Sequence, residues 1–448
     1  MSLVTRFYKS LFISRRWYQL GVGIIVLFVV SYGIPVLFTV SQLLLLFLTV
    51  VTLLDYVVLF ATRQPVEMAR VVSDRFSNGD DNVVRLEIRN RYPFPVWLQI
   101  IDEVPEQFQM RNFVLKTELK AGAEGVLEYR LRPVQRGEYV FHNINVYIKS
   151  PFQLIVRRKI IQAETMVRVL PSFQALKQFD LLAMSQNLAE SGNKRMRKLG
   201  HSLEFEQIKE YVTGDDLRSL NWKATARRGG ELMVNNFTDE KSQQVYCLVD
   251  KGRVMKMPFN GMSLLDYAIN ATLVLSRVAL VRQDKAGLLT FSDQIGTFLP
   301  AGRKSTQMSH ILEILYNQQT RYQETDYEKL HAMVRTRITQ RSLIVLFTNF
   351  ESLSGLQRQL PYIRSIARQH LVLVVFFENT GLDQLRNMEA ETIEDIYTQT
   401  IAEKFAYEKR LIVKELQQHG IVTILTPPEN LTVATVNKYL EIKSRLAI

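Results

Sequence analysis

The sequence has almost no cysteine and little histidine, and these shortages limit the chemistry open to it. Its 448 residues include a single cysteine, Cys247, and six histidines. One thiol forms neither a disulfide within the chain nor a site of several thiolates, which suits a reducing compartment such as the cytosol. The histidines are scattered without the short spacing of zinc ligands. We therefore expect no bound metal and no cofactor.

Recognisable catalytic motifs are missing as well. The sequence contains neither Gly-x-Ser-x-Gly nor His-Glu-x-x-His. The stretch 296–305 has two glycines before a Lys-Ser pair, but the spacing is one residue too long for a phosphate-binding loop, and Pro300 removes a backbone amide. Cys247 lies in an apolar run, which predicts a core residue with a raised thiol pKa. These absences favour a protein that is not an enzyme.

An apolar block near the N-terminus predicts a membrane hairpin. From Trp17 to Ala61 the only charged residue is Asp55, and a helix needs about 20 apolar residues to cross a bilayer. The break at Gly33-Ile34-Pro35 predicts helices near 17–33 and 38–61. We expect Asp55 to lie near the interface, satisfied by water or a basic neighbour. A secretory signal peptide is the rival interpretation.

The charge distribution predicts how the hairpin is oriented. The formal net charge is +12, which suits nucleic acid or an anionic membrane surface. Basic residues such as Arg16 and Arg63 flank both ends of the apolar block, and the turn between its helices has none. The positive-inside rule therefore places both termini in the cytoplasm, with the lipid bilayer as a partner and no nucleic acid expected.

The remaining chain divides into two further patterns. Between residues 66 and 170, short alternating runs separated by turn residues predict a small β-sandwich. The runs are Val83–Ile88, Val96–Ile101, Val126–Leu131, Tyr139–Ile148 and Met166–Leu170. From Gln244 onward, β-branched runs alternate with helical stretches, which predicts a doubly wound α/β domain. We place the domains at 1–62, 63–172, 173–243 (a connecting segment) and 244–448.

The connecting segment carries the most specific motif. Residues 201–227 contain a Glu-Tyr pair, a Gly-Asp-Asp turn, an arginine, Asn-Trp-Lys and Ala-Arg in that order. This order resembles the signature of the bacterial family called domain of unknown function 58. The resemblance implies two membrane helices, a β-rich segment and a von Willebrand factor A-like domain. It also implies a bacterial inner-membrane location and a partnership with a MoxR-type AAA+ ATPase.

Charged and aromatic residues of this signature are the first candidate site. They are Glu206, Glu210, Tyr211, Asp215, Asp216, Arg218, Trp222, Lys223 and Arg227. We interpret them as an ion-paired structural clamp, in which Arg218 and Arg227 bind carboxylates and fix a loop. The alternative is a hydrolase whose acid and base are among Glu206, Asp215 and Asp216.

The second candidate site follows the predicted strands of the α/β domain. Ligand sites of such sheets lie at the carboxyl ends of the strands, where Asp250, Asp293 and Asn349 occur. These positions resemble the metal-ion-dependent adhesion site of von Willebrand A domains. The first loop, however, lacks both serines and carries Lys251 and Arg253, and Asn349 replaces a carboxylate, so we expect a degenerate site without tightly held metal.

These observations predict a membrane-anchored cytoplasmic scaffold or adaptor. It would bind protein partners through the signature segment and through strand-end loops that contain Asp250, Arg253 and Asp293. Two alternatives stay open: the hydrolase of the signature carboxylates, and a metal-dependent adhesion module centred on Asp250.

Overall fold

The computed structural model describes residues 10–62, 64–111, 113–172, 203–212, 217–229, 231–239, 242–387 and 392–445. The chain divides into two compact units, Met1–Leu170 and Pro171–Ile448. Both units combine sheets with helices. The predicted mixed α/β class is therefore confirmed.

Two helices joined by a short turn lie in the N-terminal unit. Helix α1 spans Arg15–Val30 and helix α2 spans Val36–Ala61, so the predicted break between two apolar helices is present. Ser14 caps α1 by accepting a hydrogen bond from the backbone amide of Trp17. The indole of Trp17 then donates to the hydroxyl of Thr52 at 3.2 Å, which joins α1 to α2.

Within the described residues, two helices are long and apolar enough to cross a membrane. They are Val36–Ala61, with a mean hydropathy of 2.6, and Leu264–Val281, with 1.5. The most apolar window of the second helix is 78% buried, against 17% for the first, because Leu264–Val281 is a core helix of the C-terminal unit. Helix α1 has 16 residues, which is short of the length of about 20 that spans a bilayer core.

Three sheets complete the N-terminal unit. Their strands are Leu11–Ile13 (β1), Val66–Val71 (β2), Arg75–Ser77 (β3), Asn82–Asn90 (β4), Val96–Asp102 (β5), Leu115–Leu119 (β6), Glu124–Leu131 (β7), Gly137–Phe141 (β8), Ile144–Lys149 (β9), Ile155–Ile161 (β10) and Thr165–Leu170 (β11). The sheet orders are β1-β10-β9-β5-β6, β3-β11-β8 and β2-β4-β7. Every second residue of β4 is buried, and residues from all three sheets share one apolar core.

One predicted strand of this unit is in fact two strands. The run Tyr139–Ile148 divides into β8 and β9, which belong to different sheets. Strand β8 pairs with β11, whereas β9 pairs with β5 and β10. The chain leaves one sheet at His142-Asn143 and enters the other, where the backbone amide of His142 donates to the carbonyl of Glu103 at 3.0 Å. Apolar alternation alone does not reveal such a change of sheet.

The buried carboxylate of Asp55 has partners other than those predicted. It accepts hydrogen bonds from the hydroxyl of Ser150 and from the backbone amides of Leu154 and Ile155, at 3.0 and 2.9 Å. The prediction that water or a basic neighbour satisfies Asp55 is therefore wrong. A loop of the β-rich part binds the carboxylate and fixes α2 against the strands of the same unit, since three donors satisfy an otherwise costly buried charge.

A six-stranded sheet is the centre of the C-terminal unit. The strands of this unit are Leu203–Glu210 (β12), Met233–Asp239 (β13), Gln244–Asp250 (β14), Pro258–Phe259 (β15), Met262–Ser263 (β16), Lys285–Phe291 (β17), Ile295–Gly302 (β18), Leu343–Phe347 (β19), Leu371–Phe377 (β20) and Val422–Thr426 (β21). The central sheet has the order β18-β17-β14-β19-β20-β21, with β18 antiparallel at one edge and the rest parallel. The carboxyl ends of the parallel strands therefore meet at one edge of the sheet.

Helices cover both faces of this sheet. The helices of the C-terminal unit are Trp222–Arg227 (α3), Leu264–Val281 (α4), Gln307–Tyr316 (α5), Tyr327–Arg337 (α6), Leu353–Ala367 (α7), Thr380–Asn387 (α8), Ile393–Gln418 (α9) and Leu431–Ser444 (α10), and α3 belongs to the β12–β13 segment. Short 3-10 helices occur at Glu106–Phe108, Leu217–Ser219, Arg253–Met255 and Pro428–Asn430. Along β14, Cys247 belongs to a core shared with α4, α5 and α10, and its neighbour Tyr246 to a core shared with α6, α7 and α9. Both faces are apolar, as parallel sheets require.

Candidate functional site

The candidate site lies where the parallel strands of the C-terminal unit end. Asp250 is the last residue of β14 and is almost completely buried. One carboxylate oxygen accepts hydrogen bonds from the amide of Gly252 at 2.8 Å and the hydroxyl of Thr325 at 2.7 Å. The other accepts from the hydroxyl of Thr348 at 2.7 Å. Asp250 therefore joins three loops of the strand-end edge.

The network around Asp250 continues to a buried tyrosine. The phenol oxygen of Tyr327 lies 2.7 Å from the hydroxyl of Thr348. Burial raises the pKa of the Asp250 carboxyl, while the hydrogen bonds from Thr325, Gly252 and Thr348 act in the opposite direction. Burial, together with the nearby Asp250, raises the pKa of the Tyr327 phenol well above its ordinary value. The arrangement is a set of donors around one acceptor, which fixes the loops in place.

Gly252 is required by the close packing of the first loop. A Cβ atom at this position would overlap the hydroxyl of Thr325 and would lie 3.1 Å from a carboxylate oxygen of Asp250. The loop therefore approaches the hydroxyl of Thr325 too closely for a side chain at this position, unless Thr325 moves away from Asp250. Arg253 follows, with its side chain exposed beside a cavity of about 130 Å³ that Asp250, Glu324 and Arg358 also line.

Asp293 lies at the end of the neighbouring strand and has cationic partners. Its carboxylate lies 3.3 Å from the guanidinium of Arg321 and accepts from the hydroxyl of Ser292 at 2.9 Å. The hydrogen bond from Ser292, then Arg321, lowers the pKa of Asp293. Lys251 is half-buried, and this burial with the nearby Arg321 lowers its pKa. Within the described residues, no group of three or more His, Cys, Asp or Glu side chains is placed to hold a metal ion.

Asn349 has a partner that the sequence analysis missed. Its side-chain oxygen accepts a hydrogen bond of 2.6 Å from the amine of Lys409 in α9. Burial lowers the pKa of this amine to about 8, although Glu351 acts to raise it. The sequence contains a signal for this lysine: Ala402, Phe405, Lys409, Ile412 and Leu416 follow one another at helical spacings of three and four. A lysine in the apolar stripe of an amphipathic helix faces the core.

Lys409 and Asn349 line a second and larger cavity of about 340 Å³. Most of its other lining is apolar, contributed by β20, β21, α9 and the region before α4. The apolar residues are Met257, Phe259, Leu264, Phe377, Leu382, Phe405, Ala406, Leu425 and Pro428. Charged residues at its walls are Glu351, Glu378, Arg386, Lys409 and Arg410.

The signature segment forms a β-hairpin with a short helix inside it. Strand β12 pairs with β13, with an irregularity between Phe205 and Gln207. Asn221 caps α3 by accepting from the amide of Ala224 at 3.0 Å. Between these elements, the carboxylate of Glu210 accepts a hydrogen bond from Arg228 at 3.0 Å. This ion pair is therefore made by Arg228, the residue next to Arg227, for which an ion pair was predicted.

The other predicted residues of the signature have varied positions. Tyr211 follows β12, with its backbone amide bonded to the carbonyl of Leu232 at 2.8 Å. Trp222, Lys223 and Arg227 are exposed on α3, Trp222 to 69%. Asp215 and Asp216 lie outside the described residues, as do the side chains of Glu206 and Arg218. The predicted clamp and the carboxylate pair of the hydrolase hypothesis therefore stay predictions.

Cys247 agrees with its expected character. It lies in the middle of β14 and is buried, and this burial raises the pKa of its thiol to about 12. A thiol in this state has almost no thiolate at neutral pH. It serves as a small core residue.

The fold and this site define a class: an α/β unit with a mostly parallel sheet and strand-end loops fixed around one buried aspartate. The family model described as protein of unknown function DUF58 matches residues 207–410. This match confirms the predicted resemblance to that family over residues 207–410.

A curated relative and several solved structures show weaker likeness. The chain is 25% identical over 186 residues to the uncharacterized protein YeaD of Bacillus subtilis (strain 168), which is 39% of this chain and 44% of the relative. The match thus spans less than half of that relative's length. Proximal thread matrix protein 1 from the mussel byssus matches with a TM-score of 0.26 and 10% identity, over 44% of this chain and 46% of that one. A PapD-like domain of human CEP192 matches with a TM-score of 0.20 and 12% identity, over 24% of this chain and 87% of that domain.

Proposed function

We propose that this protein is a membrane-anchored cytoplasmic scaffold, not an enzyme, that binds a protein partner through the strand-end loops of its C-terminal unit. The observation that carries the proposal is the network around Asp250. Three hydrogen bonds fix the loops of Gly252, Thr325 and Thr348, and the exposed Arg253 projects from the first of them. Rigid polar loops with an exposed arginine are typical of a recognition surface, because little order is lost on binding.

The membrane part of the proposal draws on the N-terminal helices. Helix α2 has 26 residues, its most apolar window is only 17% buried, and its side chains include many exposed leucines. Such a surface is costly in water and suits lipid. With basic residues flanking both ends of the hairpin, we infer a multi-pass protein of the bacterial inner membrane with both termini in the cytoplasm. The β-rich part would be a sandwich-like spacer and the C-terminal unit a von Willebrand A-like domain.

The partner class comes from the family resemblance. We infer a MoxR-type AAA+ ATPase, with which the scaffold would act in assembly or maturation of protein complexes. The full chain, solubilised from membranes, should retain this ATPase on an affinity column. Replacing an exposed hot-spot arginine removes about 2 kcal/mol or more of binding, so Arg253→Ala should lower capture at least about tenfold.

The matched control is Arg335→Ala. Arg335 is also exposed, and it lies near the far end of α6, whose first residue is Tyr327. This change should leave capture as in the wild type. Equal capture by the wild type and the Arg253 variant would refute the proposed surface, and no capture by the wild type would refute the proposed partner.

A further inference from the structure

The larger strand-end cavity has a composition that differs from that of a protein-docking surface. It encloses about 340 Å³, within the range of small-molecule sites. Strand β20 contributes Phe377, strand β21 contributes Leu425, and helix α9 contributes Phe405 and Lys409. Its position at the carboxyl ends of parallel strands is where α/β sheets bind ligands. The cavity is apolar except for a few polar groups.

Lys409 supplies a cationic group to this cavity, and its side chain is only partly exposed. Its amine donates to the neutral side chain of Asn349 at 2.6 Å and lies 5.7 Å from the ring centroid of Phe376. In the described parts of the chain, no carboxylate lies within 4.0 Å of this amine. An ammonium has three donors, and its single hydrogen bond to an amide leaves two. An anionic partner would therefore stabilise this buried ammonium.

The wall carries four other charged residues, and one of them, Arg386, is partly buried. Glu351 influences Lys409 without forming an ion pair, and Glu378 and Arg410 are exposed. A divalent metal ion would be repelled by the ammonium. A phosphate group is more strongly hydrated than a carboxylate and is less suited to a lining that is mostly apolar. A carboxylate attached to an apolar group matches both the ammonium of Lys409 and the apolar lining of the cavity.

We propose that this cavity binds a small carboxylic acid with an apolar body, and that the amine of Lys409 receives its carboxylate. The body contacts Phe377, Phe405 and Leu425, and the carboxylate replaces water at the two open donors of the ammonium. This site is independent of the proposed scaffold function, since Arg253 does not line the cavity.

The test compares a carboxylate with its neutral amide on the solubilised full chain. Calorimetry with 3-phenylpropanoate and with 3-phenylpropanamide should give tighter binding of the carboxylate, by about tenfold or more, as for a charge-assisted hydrogen bond. Lys409→Met should abolish this preference while keeping weak amide binding. Lys414→Met, an exposed lysine on the same helix, should preserve the preference.

A labelling experiment on the wild type makes the test independent of variant folding. An N-hydroxysuccinimide ester transfers its acyl group to a neutral amine, and mass spectrometry measures the acylation of Lys409 at pH 8. The carboxylate should slow acylation of Lys409 and leave Lys414 unaffected, and the amide should have a much smaller effect. Equal binding of carboxylate and amide, or no protection of Lys409 by the carboxylate, would overturn the proposal, whatever the outcome for ATPase capture.

Discussion

The strand-end edge of the C-terminal unit buries two opposite charges in different ways. Asp250 accepts three hydrogen bonds from its own loops, whereas the amine of Lys409 donates one to the neutral Asn349. Asp250 therefore stabilises the strand-end loops, whereas the amine of Lys409 has donors left to bind a ligand. Burial by itself does not distinguish a structural charge from a binding one; the number of partners does.

The largest expected effect comes from removing the aspartate. In Asp250→Ala, the hydroxyls of Thr325 and Thr348 and the amide of Gly252 lose their acceptor within the edge. The expected loss of unfolding free energy is about 4 kcal/mol, because each unsatisfied buried group costs about 1–3 kcal/mol. Hydrogen exchange of peptides from β14 and β17 in the full chain measures this loss as a lower opening energy.

Asp293→Ala is the matched control for this change. Asp293 also ends a strand region of the edge, but its side chain is partly exposed and its partner Arg321 is 52% exposed. Solvent replaces such partners at little cost, so the opening energy should change by less than about 1 kcal/mol. If Asp250→Ala were as mild as Asp293→Ala, the network around Asp250 would not hold the edge together.

Burial of Lys409 should make the free energy of unfolding depend on pH. Its amine has a folded pKa of about 8, against about 10.4 in an unfolded chain, so the unfolded state binds more protons between these values. The stability of the wild type relative to Lys409→Met should therefore rise as the pH increases from 8 to about 10.4, by about 3 kcal/mol in total. Below pH 8 the wild type carries the full cost of burying the ammonium.

Pulse proteolysis in urea, with the C-terminal unit as the readout, measures this difference at several pH values. Lys414→Met should show no such dependence relative to the wild type, since this exposed side chain keeps water around its amine in both states. A constant difference between wild type and Lys409→Met from pH 7 to about 10.4 would mean that the amine titrates as in water.

Much of the sheet was predictable because its strands are buried on both faces. The continuous apolar runs 245–249, 286–291, 342–348, 371–377 and 421–425 predict the five parallel strands, and the parallel topology then places Asp250, Asp293 and Asn349 at one edge. Strands such as Ile155–Ile161 were missed because Arg157, Arg158 and Lys159 interrupt the apolar run. Arg157 is accommodated by tertiary contacts, since it donates to the carbonyls of Leu59 and Thr62 at 2.6 and 2.8 Å.

For the candidate site, the sequence predicted that Asp250, Asp293 and Asn349 follow neighbouring strands, but it did not predict their partners. Asp250 was predicted at the strand-end edge, and the structure adds that Thr325 and Thr348, 75 and 98 residues away, supply the hydroxyls that bind it. Such long-range partners depend on how loops meet in three dimensions. Lys409 was missed because helix α9 mixes many charged residues along its length, and only their helical spacing separates the lysine in the apolar stripe from the exposed ones.

The smallest expected effect belongs to the ion pair of the signature hairpin. The side chains of Arg228 and Glu210 are 60% and 63% exposed, and exposed pairs contribute between about 0 and 1 kcal/mol. Arg228→Ala should therefore change the opening energy of β12 and β13 by less than about 0.5 kcal/mol, far less than Asp250→Ala changes that of β14. Arg227→Ala is the natural companion, since its exposed side chain lies one residue earlier. Hydrogen exchange measures the opening energy in both variants. A loss of 2 kcal/mol or more in either one would instead support a structural clamp in this segment, because only desolvated, well-paired arginines have effects of that size.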